Sequence, residues 1–389
     1  WHCGRERLPI DYGIEGWSLP DYGKPYMSEA YRAYAAERGL GDARARIEHS
    51  LDHPEWEGTA QVLHHESPWR FMNGSGVLEG PPEAHDQQFV AHLAVEKLRE
   101  LAEADQPWSL VASFWGPHQP YYPSEPFAGS IDPRSIPEYP SFRDDFSGRP
   151  LRHHIHYEMA HAGKNRLRGD WPAWQEICAR AYEQAMQLDA AVGEVLDALS
   201  ETQQADNTLV IYVADHGDAL ASHGGLFDKC TGYLEEVARV PMAIRWPAAV
   251  GEGRTLTRPV SNLDVTATML EAAGVDVPDS MQSRSLLGLC RGEGADRPDH
   301  TVAEHHGHGG TRVRQRAIVT ERYKYVAAEF DGDELYDLFE DPYELRNLVD
   351  APEVAGVRDD LRGRLIKHIE AAGDRTARFI LLGLRKGFH

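Results

Sequence analysis

Residues 208–217 read Thr-Leu-Val-Ile-Tyr-Val-Ala-Asp-His-Gly, an apolar, β-branched run followed at once by a carboxylate, an imidazole and a glycine. An unbroken apolar run of this kind predicts a strand buried on both faces, as in parallel sheets covered by helices. Upstream, Leu188, Val192, Val195, Leu196 and Leu199 recur at helical spacing within residues 171–200. Downstream, residues 240–246 predict another strand closing at Pro247, and residues 262–273 a helix with Val265, Met269 and Leu270 inward and Gly274 as its stop.

The same order occurs earlier. Val90, Leu93, Leu98 and Leu101 predict a helix over residues 89–104, feeding a strand over 109–115 that ends at Gly116-Pro117. Alternating helices and apolar strands predict an α/β fold with a mainly parallel central sheet flanked by helices. Residues 1–85, rich in Gly, Pro, Tyr and His, read mainly as connections, with a helix-like piece over 28–37. Past residue 295 the pattern changes: residues 317–328 and 334–338 resemble antiparallel strands and 354–372 a closing helix. The expected division is an α/β domain over 1–295 and a small C-terminal α+β subdomain over 296–389.

Composition bounds the function classes. The chain has 389 residues, 41% of them hydrophobic, with a net charge of −22, so nucleic acid and anionic membrane surfaces are repelled and neither is an expected partner. No run approaches the ~20 apolar residues of a membrane span. Four scattered cysteines, Cys3, Cys178, Cys230 and Cys290, form no CxxC pair, which argues against a disulfide framework or structural zinc site. Cys178 reads as core. The compartment stays open between cytoplasm and periplasm or exterior. The chain opens at Trp1 with no Met or apolar leader, so a preceding segment is expected.

Ligands of open α/β sheets bind beyond the carboxyl ends of the strands. There the chain places Asp215-His216-Gly217, a plausible metal corner, and Gly116-Pro117-His118-Gln119-Pro120, a histidine held in a proline-restricted turn. Lys229 follows, in Phe227-Asp-Lys-Cys-Thr-Gly-Tyr-Leu-Glu-Glu236, and His306 stands in a histidine-rich stretch over 304–309. Each has a plainer reading: Asp215 as a cap, His118 as a turn residue, Lys229 and His306 as solvated surface. His64, His65, His153 and His154 are read as surface.

In combination these pieces resemble the formylglycine sulfatase branch of the alkaline-phosphatase superfamily. The likeness rests on the Asp-His-Gly turn, a second His-Gly at 223–224, Phe227-x-Lys229, Tyr233 with Glu235-Glu236, Arg239-Val-Pro241 and Arg245-Trp-Pro247. Ser261-Asn-Leu-Asp264 with Thr268, Arg322-Tyr-Lys-Tyr-Val326, Asp333-Glu-Leu-Tyr-Asp-Leu338 and Asp341-Pro342 extend it. Trp1-His2-Cys3-Gly4 resembles the tail of the family's G-K-W-H-x-G motif.

The resemblance implies an alkaline-phosphatase-like fold and a metal-dependent sulfuric ester hydrolase. Asp215 and His216 would hold one divalent ion, Ca²⁺ foremost, with Mn²⁺, Mg²⁺ or Zn²⁺ open because His216 stands where many members carry Asn. Lys229 and His2 would face the sulfate oxygens, His118 would bond or protonate the leaving oxygen, and His306 would touch substrate. The substrate would be a small-molecule or carbohydrate sulfate ester. The formylglycine nucleophile, and with it a formylglycine-generating enzyme as maturation partner, is expected upstream of residue 1, leaving the given chain inactive by itself. Cys3 is rejected as nucleophile because Arg5 stands where the family's C-x-P-x-R segment needs proline. The alternatives are a phosphonate monoester or phosphodiester hydrolase of the same superfamily, and an inactive truncated member.

Overall fold

The structure, a computed structural model, describes residues 25–50, 53–63, 73–161, 170–229, 232–251, 253–294, 297–307 and 313–387. In chain order its first elements are α1 (Glu29–Glu37), β1 (Arg44–Ser50), β2 (Ala60–Val62), β3 (Gly74–Glu79), α2 (Asp86–Ala102), α3 (Leu151–His161) and α4 (Trp171–Glu201). Then come β4 (Val210–Val213), the single kinked turn α5 (Ser222–Gly225), α6 (Glu235–Ala238), β5 (Met242–Arg245), α7 (Leu263–Ala272) and α8 (Leu287–Cys290). Strands β6 (His300–His305), β7 (Gln315–Thr320), β8 (Tyr323–Ala328) and β9 (Glu334–Asp337) precede helices α9 (Ala355–Ala372) and α10 (Arg378–Lys386). None of these helices is long and apolar enough to cross a membrane.

The chain divides into two compact units, residues 1–138 with 163–205 and residues 139–162 with 206–389. In the first, Ser28 caps α1, its hydroxyl accepting from the Tyr31 amide at 3.0 Å. The stretch read as connections contains an antiparallel sheet of order β2-β1-β3. Its signal is faint: Ala45 and Ile47 alternate with charged residues for only two periods, and the glycines of β3 lack strand propensity. Gly76 is nonetheless required, since a Cβ there would lie 2.1 Å from the Arg46 carbonyl oxygen. Ile47 and Leu78 pack with Tyr31, Tyr34 and Phe89, whose rings meet edge-on or tilted at 5.0–6.0 Å. Helix α2 lies along α4, where Cys178 is buried as expected.

The α/β class stands, but the pairing differs in detail. Ladders among the described residues are antiparallel, and parallel pairing is confined to bridges at Ser75–Tyr121 and Leu78–Ser124. Residues 109–115 join no ladder there. Strand β4 pairs with β5 alone in a two-stranded sheet, so Tyr212 and Val213 stay partly exposed where full burial was expected. Both runs are apolar because of composition; burial requires a neighbour on each side, which the run itself does not encode.

In the second unit the sheet β6-β7-β8-β9 carries α9 and α10. Leu361, Leu365 and Ile369, then Ile380 and Leu384, seat on Ile318, Tyr325 and Leu335. Helix α7 buries Asp264, Ala267 and Thr268 rather than Met269, because the Thr268 hydroxyl and Asp264 carboxylate accept from the amides of Leu286 and Arg284. His153, read as surface, is buried on α3 with Nε2 2.8 Å from Glu334, which also pairs with Arg152.

That cluster predicts acid sensitivity. Burial raises the Glu334 carboxyl, but Arg152 and His153 outweigh it and hold it well below 4.5. Burial holds the His153 imidazole below 6.5. In both cases the unfolded chain takes up a proton more readily, so the stability this cluster contributes is fully present above about pH 6.5 and falls as pH drops through 6.5 and then 4.5. Denaturant midpoints should decline from pH 6 to 4, below the range in which the raised His223 imidazole acts in the opposite sense. Arg152→Met, leaving a buried carboxylate short of its main partner, should cost about 3–5 kcal/mol at pH 7.5.

Candidate functional site

Strand β4 ends at Val213 and delivers Asp215, whose side chain is 80% exposed, and His216, 23% exposed. His216 Nδ1 lies 2.7 Å from the Gly217 carbonyl, which only accepts, so Nδ1 carries the proton and Nε2 presents its lone pair. That Nε2 is 3.7 Å from Asp215 Oδ1. A carboxylate oxygen and an imidazole lone pair at this separation fit two ligand positions of one divalent cation. Asp215 Oδ1 also accepts from the His216 amide at 3.0 Å, a bond within the turn that caps no helix.

Three contacts hold this turn. The Asn262 amide donates to the Ala214 carbonyl at 2.9 Å, and Asp264 in turn orders the start of α7 by accepting from Ser261 N at 3.0 Å. The Gly217 amide donates to the Val237 carbonyl at 2.8 Å. Gly217 must be glycine, since a Cβ would lie 1.9 Å from the Glu236 carbonyl oxygen. Asp218 Oδ1 accepts from the amides of Leu220 and Asp228, each at 2.9 Å, tying the turn to the residue before Lys229. The Lys229 ammonium rests 3.3 Å from Asp228 Oδ1 and is 27% exposed. Leu220, Ala221, His223 and Asp228 all take positive φ, a concentration of backbone strain that the surrounding bonds sustain.

Tyr233 stacks edge-on against His305 at 6.1 Å, placing the end of β6 beside the segment that follows Lys229. His306, next along, is 53% exposed and pairs with Glu304 at 3.3 Å. In the first unit, His118 Nδ1 sits 2.9 Å from the Gln119 carbonyl, fixing its tautomer as in His216. Gln184 steadies this loop, donating to the His118 carbonyl at 3.2 Å and accepting from Tyr122 N at 2.7 Å. His2 and Cys3 lie outside the described residues.

The sequence reading missed a buried ionic cluster behind the turn. His223 is fully buried, with Nδ1 3.0 Å from Asp144 Oδ2 and Nε2 3.4 Å from Glu236 Oε2. Arg149 shares the same Asp144 oxygen at 2.8 Å. Lys324 Nζ stands 2.6 Å from Glu344 and 3.0 Å from Glu235. Burial alone would lower the His223 imidazole, yet Asp144 and Glu236 bring it above 6.5. His223, Glu236 and Glu344 have ligand atoms within 4.8 Å of one another, a second arrangement that suits a cation. There, however, the Lys324 ammonium already holds Glu344, and Asp144 and Arg149 crowd His223. His223, Glu235, Glu236 and Lys324 were legible as motif residues; Asp144, Arg149 and Glu344 carried no signal.

Residues 24–275 match the family described as Sulfatase, and residues 222–371 that described as N-sulphoglucosamine sulphohydrolase, C-terminal. The chain therefore belongs to the sulfatase family. It is 30% identical to a choline-sulfatase from Rhizobium meliloti, over 72% of this chain and 55% of that protein. It is 29% identical to an arylsulfatase from Clostridium perfringens, over 74% of this chain and 58% of that protein. An uncharacterized sulfatase, YidJ, of Escherichia coli is 28% identical over 79% of this chain and 61% of its own length. The chain thus spans between 55% and 61% of these relatives. A phosphonate monoester hydrolase from Silicibacter pomeroyi shares the fold at a TM-score of 0.71 and 21% identity, over 90% of this chain and 70% of its own. The structure of BT4656 with its substrate D-glucosamine-2-N,6-O-disulfate does so at 0.65 and 22%, over 77% and 72%.

Gly217→Ala should force the turn off Glu236. We expect about 1–3 kcal/mol of destabilisation in thermal or chemical unfolding; a variant as stable as the parent would contradict this packing.

Proposed function

We propose that the protein hydrolyses sulfate esters of small molecules or carbohydrates, with a divalent cation held at Asp215 and His216. Family membership supports the reaction class, and the 3.7 Å approach of His216 Nε2 to Asp215 Oδ1, with Nδ1 committed to the Gly217 carbonyl, is the observation that carries the site. The cation, Ca²⁺ in this reading, supplies Lewis-acid polarisation of the sulfuryl oxygens.

The chain's own residues do the rest. Asp215 and His216 orient the bound ester. Lys229, tethered through Asp228 and Asp218, offsets negative charge on the sulfate as the S–O bond lengthens. His118, in its imidazolium form, gives the Nε2 proton to the departing oxygen while Nδ1 stays on the Gln119 carbonyl. His306 contacts the leaving group, and His2, which lies outside the described residues, is assigned to the sulfate oxygens in this proposal. The nucleophile in this proposal is a formylglycine installed by a generating enzyme; none of the chain's four cysteines stands in a C-x-P-x-R segment.

The test is hydrolysis of a chromogenic aryl sulfate by the chain extended upstream to include its formylglycine segment and matured with a formylglycine-generating enzyme, with and without chelator. Activity should fall on chelation and return with Ca²⁺ or Mn²⁺. Asp215→Asn and Lys229→Met should each lower kcat/KM by roughly 100-fold or more. An aryl phosphonate monoester turned over far faster than the sulfate would overturn the substrate class.

A further inference from the structure

The ionic cluster around His223 is adjacent to the Asp215-His216 turn through one piece of backbone. Helix α6 is held on two faces. On one, the Glu236 carbonyl oxygen and the Val237 carbonyl form the bed on which Gly217 lies, so closely that no side chain fits between them. On the other, the Glu236 carboxylate meets His223 Nε2, and the Glu235 amide donates to Glu344 Oε2 at 2.7 Å. Lys324 then joins Glu235 to Glu344, and donates to the Tyr233 carbonyl just before the helix. His223 is in turn locked to Asp144, which Arg149 also holds. A helix of one turn has no length to hold itself in place. Its position is set by these charges, drawn from the 144–149 segment, the kinked turn at 222–225, β8 and Glu344.

We infer that His223 and Glu236 are positioning residues for the metal corner: their buried ion pair fixes α6, and α6, through its contact with Gly217, fixes the angle at which Asp215 and His216 face a divalent cation. This rests on the proposal that Asp215 and His216 hold the ion. Outer groups that orient metal ligands typically change affinity 10–100-fold when removed. Here the orientation passes through backbone, so charge removal at Glu236 is felt at His216.

The probe is Mn²⁺ binding to the full chain, followed by titration of the free-ion EPR signal, with circular dichroism confirming that each variant is folded at the measuring temperature. The parent should bind and Asp215→Asn should not. Glu236→Gln and His223→Gln should weaken binding roughly 10-fold or more, their double variant no more than the worse single one, and Glu236→Asp should recover part of the loss. A purely structural pair would lower the melting temperature and leave Mn²⁺ affinity unchanged in the folded variants; that result overturns the inference while sparing the metal assignment. Binding that survives Asp215→Asn but vanishes in Glu236→Gln would make the His223 cluster the metal site itself. A parent chain that binds no Mn²⁺ would remove the corner assignment, and the positioning role with it.

Discussion

The contact on which the second unit's candidate site depends is the buried pairing of His223 with Glu236, set inside a cluster that also contains Asp144, Arg149, Glu235, Lys324 and Glu344. Buried charges cost several kcal/mol each to desolvate, and the cost is met only where partners and geometry are complete. Here acids and bases alternate so that each buried charge faces an opposite one. The stabilisation this provides over an apolar core is small; what such a cluster supplies is register, since a shift of either α6 or the kinked turn would leave a charge unpaired in a dry environment.

Register matters because the chemistry is carried by short, irregular segments. The Asp215-His216-Gly217 turn, the positive-φ residues from Leu220 to Asp228 and the loop to Tyr233 contain little regular structure. Their shape is held by side chains reaching to backbone: Asn262 to Ala214, Asp218 to Leu220 and Asp228, Lys324 to Tyr233. The same device recurs in the first unit, where Gln184 bonds the backbone on both sides of the His118 turn and Glu183 accepts from the amides of Gly129 and Ile131. In both units long-range polar bonds, rather than helix or strand, give the catalytic candidates fixed directions.

Membership of the sulfatase family and the local geometry of the Asp-His-Gly turn leave different things to be explained. The family relation supports the proposed reaction class. The geometry bears on the proposed ligand role of His216, whose Nδ1 donates to a carbonyl one residue away. Two clusters suited to cations thus stand on either side of α6, and their chemistry differs. The first pairs an exposed carboxylate with an imidazole, whereas the buried one already contains an ammonium and a guanidinium.

By itself the sequence determined the α/β class, the helices at α2, α4, α7 and α9, and the motif positions Asp215, His216 and Lys229, because periodicity and short motifs are written in neighbouring residues. What only the tertiary structure decided is which strands pair, that β1 to β3 form a sheet, that His153 is interior, and that Asp144, Arg149 and Glu344 close the charges around His223. The reason is physical. Strand pairing and charge closure join residues as far apart as 144 and 223, or 149 and 344, and the free energy of such a contact depends on burial and on the partner opposite. Neither quantity exists until the chain has folded.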